Sequence, residues 1–244
     1  MTNPNGPYPG RQLFVGISPG GRPAVAYLVT GRSAASRERR AIALEDGVRI
    51  GPLGDVEYDP LRHYTALKVE PALGLAVVSN GIQTEAIFEA YRLLGNVGAT
   101  PDGSFLQKLL EGAGAEPDSL KTPRIAGVIT RHGESGRLFY FLGVKRADMP
   151  ARALSVAVEP GVLFGVSTYQ GDLSDPRPFD LSGGPARLPF EDEDPHELAT
   201  RLYDISAASH QDQDIRVCTV AAMPSADDPG AWDVAIKNRQ EPPR

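Results

Sequence analysis

The sequence predicts an α+β fold in which two mainly antiparallel sheets stack on each other and are covered by helices. Three observations carry this expectation. The 26 glycines and 22 prolines among 244 residues are a high share and point to many turns rather than to a helical bundle. Strand-like and helix-like segments come in groups: strands, two helices, strands, one helix, two strands. That order lacks the strict alternation of a doubly wound sheet. Hydrophobic residues make up 41% and charged residues 23%, the composition of a folded chain. The length suits one large or layered domain. Residues 1–10, with three prolines, read as a flexible lead-in, 11–238 as a single domain and 239–244 as a tail.

Each element has its own signal. Segments 12–17 and 23–30 flank the turn Ser18-Pro19-Gly20-Gly21 and read as a hairpin. Strands follow at 39–45, 63–70 and 74–79; the last, Gly-Leu-Ala-Val-Val-Ser, is nearly all apolar and should be buried on both faces. From 82 to 97, Ile82, Ala86, Ala90, Leu93, Leu94 and Val97 fall on one helix face. A second helix starts at Ser104, with Gln107 completing a capping box. Phe105, Leu106, Leu109 and Leu110 form its apolar side, and Gly112 and Gly114 end it. Strands return at 124–131, 137–145, 153–158 and 162–169, with turns at 132–136 and 159–161. Residues 171–193, rich in Pro, Gly and Asp, read as a long loop. The third helix, 195–208, has Asp194 as N-cap, Pro195 at its first position and Glu197 in its first turn. Strands at 215–222 and 231–237 close the fold.

Composition narrows the function. A net charge of −6 argues against nonspecific capture of nucleic acid, though a small basic pocket fits it. No apolar run approaches the roughly 20 residues of a membrane helix. No basic-then-apolar leader opens the chain, and Cys218 is the only cysteine, so the expectation is a cytoplasmic protein without disulfides. Oligomeric state stays open.

Familiar catalytic signatures fall away. Gly16-Ile17-Ser18-Pro19-Gly20 has the spacing of a nucleophile elbow, but a turn and a strand follow it instead of a helix. His63, His132, His196 and His210 are scattered, without paired metal-ligand spacing. Cys218 lies in an apolar strand and reads as a core thiol. Thr2 would need an ordered strand directly behind it to act as an N-terminal nucleophile, and the lead-in intervenes.

Four polar clusters interrupt apolar strands. Thr30-Gly31-Arg32-Ser33-Ala34-Ala35-Ser36-Arg37 sets two arginines among small hydroxyl residues, a set that suits a phosphate or carboxylate and equally a solvated loop. In Arg62-His63-Tyr64-Thr65-Ala66-Leu67-Lys68, Tyr64, Ala66 and Lys68 share a strand face, flanking a ligand or simply facing water. Ser79-Asn80-Gly81 joins a buried strand to a helix, whose start attracts anions. Leu120-Lys121-Thr122-Pro123-Arg124 enters another strand with Glu116 just upstream, a candidate acid or base or else a surface carboxylate.

Taken in order, these segments resemble the archaeal-type IMP cyclohydrolase family. The matching residues are 26–33 with Arg37, Tyr64 and Lys68, Val77-Val78-Ser79-Asn80-Gly81, and Thr122-Pro123-Arg124-Ile125-Ala126; Ser167-Thr168-Tyr169 looks like a later family segment. The likeness runs from about residue 11 to 237, and its specificity lies in the ordered set. It implies a four-layer αββα sandwich like that of N-terminal nucleophile hydrolases, without a processed nucleophile. It also implies ring closure of 5-formamidoimidazole-4-carboxamide ribonucleotide to IMP with loss of water, on a purine nucleotide substrate, with no metal or redox cofactor. By the same resemblance Arg32 and Arg37 hold the 5′-phosphate or orient the carboxamide. Tyr64 and Lys68 polarise the formyl oxygen or relay its proton, and Glu116 is the acid or base. Asn80 and Gly81 line the nucleotide site, and Ser33, Thr122, Arg124 and Tyr169 join the substrate contacts. The N-terminal extension, the segment around Glu116 and the stretch 171–193 depart from the family pattern. They leave room for another nucleotide or amide substrate, or for a binding protein without the chemistry.

Overall fold

A computed structural model describes residues 8–131, 136–173, 175–228 and 230–240. The chain begins with β1 (Arg11–Ile17) and β2 (Pro23–Thr30), then a single-turn helix α1 (Ala34–Arg37). β3 (Arg39–Leu44), β4 (Gly47–Pro52), β5 (Tyr64–Glu70) and β6 (Leu75–Ser79) lead to helices α2 (Gln83–Asn96) and α3 (Gly103–Ala113). β7 (Arg124–Arg131), β8 (Leu138–Lys145), β9 (Arg152–Ser155), β10 (Val162–Ser167) and β11 (Ala186–Pro189) follow. After α4 (Pro195–Ile205) come the two-residue strands β12 (Ser209–His210) and β13 (Gln213–Asp214), then β14 (Arg216–Pro224) and β15 (Trp232–Asn238).

Two antiparallel sheets hold most of these strands. One has the order β11-β10-β1-β2-β14-β15, the other the simple meander β3-β4-β5-β6-β7-β8-β9. The expected hairpin is the β1–β2 pair, with Gln12 opposite Leu28 and Gly16 opposite Ala24. The strands are apolar on both faces because each face meets a different partner. In β2, Val25, Tyr27 and Val29 join a cluster shared with β5, β6, β7 and β8, while Ala24, Ala26 and Leu28 pack with Leu198, Ala199 and Leu202 of α4. In β6, Ala76 and Val78 join the shared cluster, and Leu75 and Val77 meet Ile87, Phe88 and Tyr91 of α2 and Leu106 and Leu110 of α3. At one margin the side chain of Asn238 on β15 reaches β3, accepting from the Ala41 N–H at 2.8 Å and donating to its carbonyl at 3.1 Å.

Several expectations need correction. The strand at 39–45 is the first arm of a hairpin whose second arm is β4. Helix α2 buries Ile87, Phe88 and Tyr91, whereas Ile82, Leu93 and Val97 are exposed. Two large aromatic rings outweigh the alanines of the expected stripe. Helix α3 is capped by Asp102, which accepts from the Phe105 N–H, rather than by Ser104. The stretch 171–193 is not one loop: it contains a 3-10 turn at Leu181–Gly183 and β11. Strand 153–158 stops at Ser155, 162–169 at Ser167, and the last helix at Ile205. The expected turn at 132–136 lies, but for Gly136, outside the described residues, as does most of the lead-in and the tail.

Candidate active site

The N-terminal end of β1 and the C-terminal end of β2 open onto a cavity of about 510 Å³. Its walls come from distant parts of the chain. Gly10 and Arg11 enter β1, Thr30 ends β2, and Arg32, Ser33 and Ser36 sit in and beside α1. Arg39 begins β3, and Asp59, Leu61 and Arg62 come from the β4–β5 connection. Glu116, Asp118, Leu120 and Thr122 lie between α3 and β7, and Thr168 and Tyr169 follow β10. His210 and Gln211 overlook it from the β12–β13 turn, where Gln211 and Asp212 both take positive φ, as this tight hairpin turn requires.

Gly10 shows why the backbone can come so close. Its φ is +66°, and a Cβ there would lie 2.3 Å from Thr168 Oγ1 and 2.7 Å from the Tyr169 ring. Only glycine fits. Its carbonyl accepts from the Thr30 hydroxyl at 2.7 Å, which ties the β1 entry to the β2 exit.

Glu116 and Arg11 form a two-pronged pair in this wall: Nη2 donates to Oε2 at 2.8 Å and Nη1 to Oε1 at 3.2 Å. The side chains are 2% and 12% exposed, so the pair is nearly dry. Arg11 Nη1 also donates to the Asn80 carbonyl. Burial raises the Glu116 pKa above the usual carboxylate range, against the pull of Arg11. Burial opposes the Arg11 charge, but Glu116 and the phenols of Tyr64 and Tyr27 outweigh it and hold Arg11 well above its ordinary value. The two phenols pair with each other at 2.7 Å. Beside them runs a hydroxyl chain. Thr122 Oγ1 donates to Asp118 Oδ2, so Tyr169 OH, 2.7 Å away, donates to Thr122. Tyr169 stacks on Tyr8 at 5.8 Å, and the Arg32 guanidinium lies over the Tyr8 ring at 5.2 Å.

Of the residues given a site role from the sequence, Arg32, Ser33, Glu116, Thr122 and Tyr169 line this cavity. The others do not. Arg37 donates to the carbonyls of Gly31 and Arg32 and braces the loop from behind its own backbone. Asn80 holds the strand ends together: its side chain donates to the Pro123 carbonyl and accepts from the Ile125 N–H and from Gln83. Arg124 is tied to Gln83 and the Gly114 carbonyl, and Gly81 leaves room for that Gln83–Arg124 contact. Tyr64 meets Tyr27 instead of the cavity.

Lys68 is a correction. It does not share a face with Tyr64. Val48 of β4 pairs with Leu67 while the next residue, Arg49, pairs with Thr65, so β5 carries one extra residue at this point. That bulge inverts the alternation. Lys68 turns to α2, bridges Asp46 at 2.9 Å and Glu85 at 3.1 Å, and lies over the Phe88 ring.

Sequence reasoning missed Arg11, Arg39, Asp59 and Asp118, and gave Arg62 no role although it opens the second polar cluster. Arg39 enters the sequence reading only as the first residue of the strand at 39–45. The available signal was the β3 alternation, which puts Arg39 on the same inward face as Ala41. Cys218 is a core thiol as expected, fully buried, with its pKa pushed up to about 12 by that burial. Ser18 donates its hydroxyl to Glu193 in a turn.

A sequence profile of the family described as IMP cyclohydrolase-like protein matches residues 8–228. The chain belongs to this family. IMP cyclohydrolase of Methanocella arvoryzae is 29% identical over 204 residues, 82% of this chain and 87% of that protein. IMP cyclohydrolase of Thermococcus kodakarensis is 30% identical over 75% of this chain and 87% of its own length. IMP cyclohydrolase of Methanothrix thermoacetophila is 34% identical over 67% and 74%. The first cavity residue, Tyr8, is also where the family match begins. Among the described residues no helix is long and apolar enough to cross a membrane.

Proposed function

We propose that the chain is an IMP cyclohydrolase of the archaeal type, a hydrolase of the cyclic amidine class that closes 5-formamidoimidazole-4-carboxamide ribonucleotide to IMP. The observation that carries this reading is the dry Glu116–Arg11 pair in the wall of a polar cavity, within a chain of this family. In the reaction the carboxamide nitrogen attacks the formyl carbon. One proton moves from that nitrogen to the formyl oxygen. The resulting hydroxyl then leaves as water, taking a second proton from a ring-forming nitrogen.

A carboxamide nitrogen is a weak nucleophile, so the site must align the two arms, take a proton and steady charge on the formyl oxygen. Glu116, with a pKa raised by burial, is suited to carry the first proton from the carboxamide nitrogen to the formyl oxygen and then the second from a ring-forming nitrogen to the departing hydroxyl. Arg11 keeps its charge and holds the carboxylate in place. The chain from Tyr169 through Thr122 to Asp118 offers oriented hydroxyls for the carboxamide side. No step requires Lys68.

The same reading assigns residues 11–238 to one domain and arranges its parts as helix, sheet, sheet, helix, in the manner of N-terminal nucleophile hydrolases. The shared cluster between the sheets and the separate clusters under α2, α3 and α4 support that layering. It places the protein in the cytoplasm, with a purine nucleotide as its small-molecule partner.

Ultraviolet monitoring of IMP formation in metal-free buffer tests the proposal. Wild-type protein should turn over the formamido nucleotide, and Glu116→Gln should lower kcat by about 10²–10⁴-fold. In the wild type kcat/KM should fall as pH drops through a value above the ordinary glutamate range, because the base is then protonated. That acid limb should vanish in the variant. Wild-type protein that never forms IMP overturns the reading.

A further inference from the structure

The hydroxyl chain in the cavity wall has a direction, and Asp118 sets it. Asp118 spends both carboxylate oxygens on Thr122: Oδ1 accepts from the Thr122 N–H at 2.8 Å and Oδ2 from its hydroxyl. The turn between them is tight, with the Lys121 N–H on the Asp118 carbonyl and Lys121 itself at a φ of +50°. A hydroxyl has one proton to give. That of Thr122 goes to Asp118, so toward Tyr169, 2.7 Å away, its oxygen can only accept. Thr122 and Tyr169 are both buried, and burial raises the Tyr169 pKa, so the phenol keeps the proton that it gives to Thr122. What Tyr169 has left for the cavity is a lone pair.

An oxygen that can only accept takes an N–H or O–H from its neighbour and rejects a second acceptor. The same cavity holds another acceptor, the Glu116 carboxylate, and the Arg11 charge reaches both groups. A primary carboxamide nitrogen carries two N–H groups, which two acceptors satisfy. One gives the proton that Glu116 removes. The other stays on Tyr169 and keeps the nitrogen turned toward the carbon it attacks.

We infer that Asp118 is a positioning residue: through Thr122 it holds the Tyr169 oxygen as a pure acceptor for the second carboxamide N–H, and so selects a carboxamide over a carboxylate at that position. The identity of the ligand group rests on the cyclohydrolase reading. Asp118→Asn is the sharpest perturbation. With its Oδ1 still on the Thr122 N–H, the new amide NH2 stands where Oδ2 stood and donates to Thr122 Oγ1. The Thr122 hydroxyl then turns to Tyr169, and the phenol proton turns to the cavity. The chain runs backwards and presents a donor.

The experiment titrates two probes calorimetrically: 5-aminoimidazole-4-carboxamide ribonucleotide, which lacks the formyl group and cannot close, and its 4-carboxylate counterpart. Wild type should prefer the carboxamide. Asp118→Asn should lower that preference roughly 10- to 100-fold, and Thr122→Val, which cuts the chain and frees the phenol, roughly 10-fold. Thr122→Ser keeps the hydroxyl and should hold the preference within about threefold. Glu116 also disfavours a carboxylate, but it does so in all four proteins, so the change in the ratio reads the chain. A loosened turn would weaken both probes together and leave the ratio alone. A ratio unchanged in Asp118→Asn and Thr122→Val therefore overturns the proposal, as does a wild type without preference. Should Asp118→Asn not fold, the two Thr122 variants decide. The wild type is also assayed for IMP formation. Turnover with an unchanged ratio overturns the role of Asp118 alone, whereas neither probe binding nor turnover removes the cyclohydrolase reading and this role with it.

Discussion

Removing both partners of the Glu116–Arg11 pair should cost less than the sum of the two single removals. The two contacts are 2.8 and 3.2 Å, and the carboxylate is 2% exposed. With charge centres roughly 4 Å apart and an effective dielectric near 20, the attraction is about 4 kcal/mol. Glu116→Gln keeps the shape, spares the cost of burying a carboxylate and leaves Arg11 two acceptors, the glutamine amide oxygen and the Asn80 carbonyl. The loss should therefore sit at the lower end of the usual range for a broken buried pair, about 3 kcal/mol. For a chain of this size that lowers Tm by roughly 6–12 °C.

Arg11→Met should behave differently, because Glu116 can escape its penalty by taking a proton. Its folded pKa, already raised by burial, rises further without Arg11. A raised folded pKa means that stability is fully present below the unfolded carboxyl value and is lost as pH rises through the folded one. Arg11→Met should thus be nearer to wild type at pH 4 than at pH 7. The double variant should lose about 2 kcal/mol less than the sum of the singles. Urea unfolding followed by circular dichroism measures all four corners of the cycle. If the two single losses simply add, within about 0.5 kcal/mol, the pair is not coupled and the argument fails.

Two further predictions separate the structure from the sequence expectation. Lys68→Met should leave kcat/KM within about twofold and cost under about 1 kcal/mol, since its two carboxylate partners are half exposed; a large loss of kcat in the IMP assay would return Lys68 to the site. Gly10→Ala should destabilise by about 2–4 kcal/mol in thermal unfolding, from the left-handed backbone and the collision with Thr168 and Tyr169. An unchanged Tm would mean that the β1 entry is looser than described.

The order and kind of most elements could be read from the chain because apolar runs and turn residues agree there. The β1–β2 hairpin and the Asp194-capped start of α4 stand where the pattern put them. What failed shares a cause: pattern rules assume an unbroken period and local evidence. A single extra residue in β5 was enough to send Lys68 to the other side of its sheet. The face of α2 was decided by the bulk of Phe88 and Tyr91, which counting apolar positions ignores. Arg11 escaped notice because nothing near it in sequence marks it, its partner Glu116 lying about a hundred residues away, and Arg39 because only the β3 alternation tells which way it faces. Glu116, Thr122 and Tyr169 were visible through the ordered likeness to a family, and Asn80, Gly81 and Arg124 were visible for the same reason although they brace the cavity walls.

The amide of Asn238 has one more consequence. An outermost strand normally offers bare N–H and C=O groups, on which a foreign chain can grow. On β3 the pair at Ala41 is already taken by a side chain that imitates a neighbouring strand. That mimicry occupies one N–H and one C=O of the rim. It also moors the stretch two residues beyond Arg39 to the last strand of the opposite sheet, so the far end of the polypeptide acts as ballast for the pocket near its beginning.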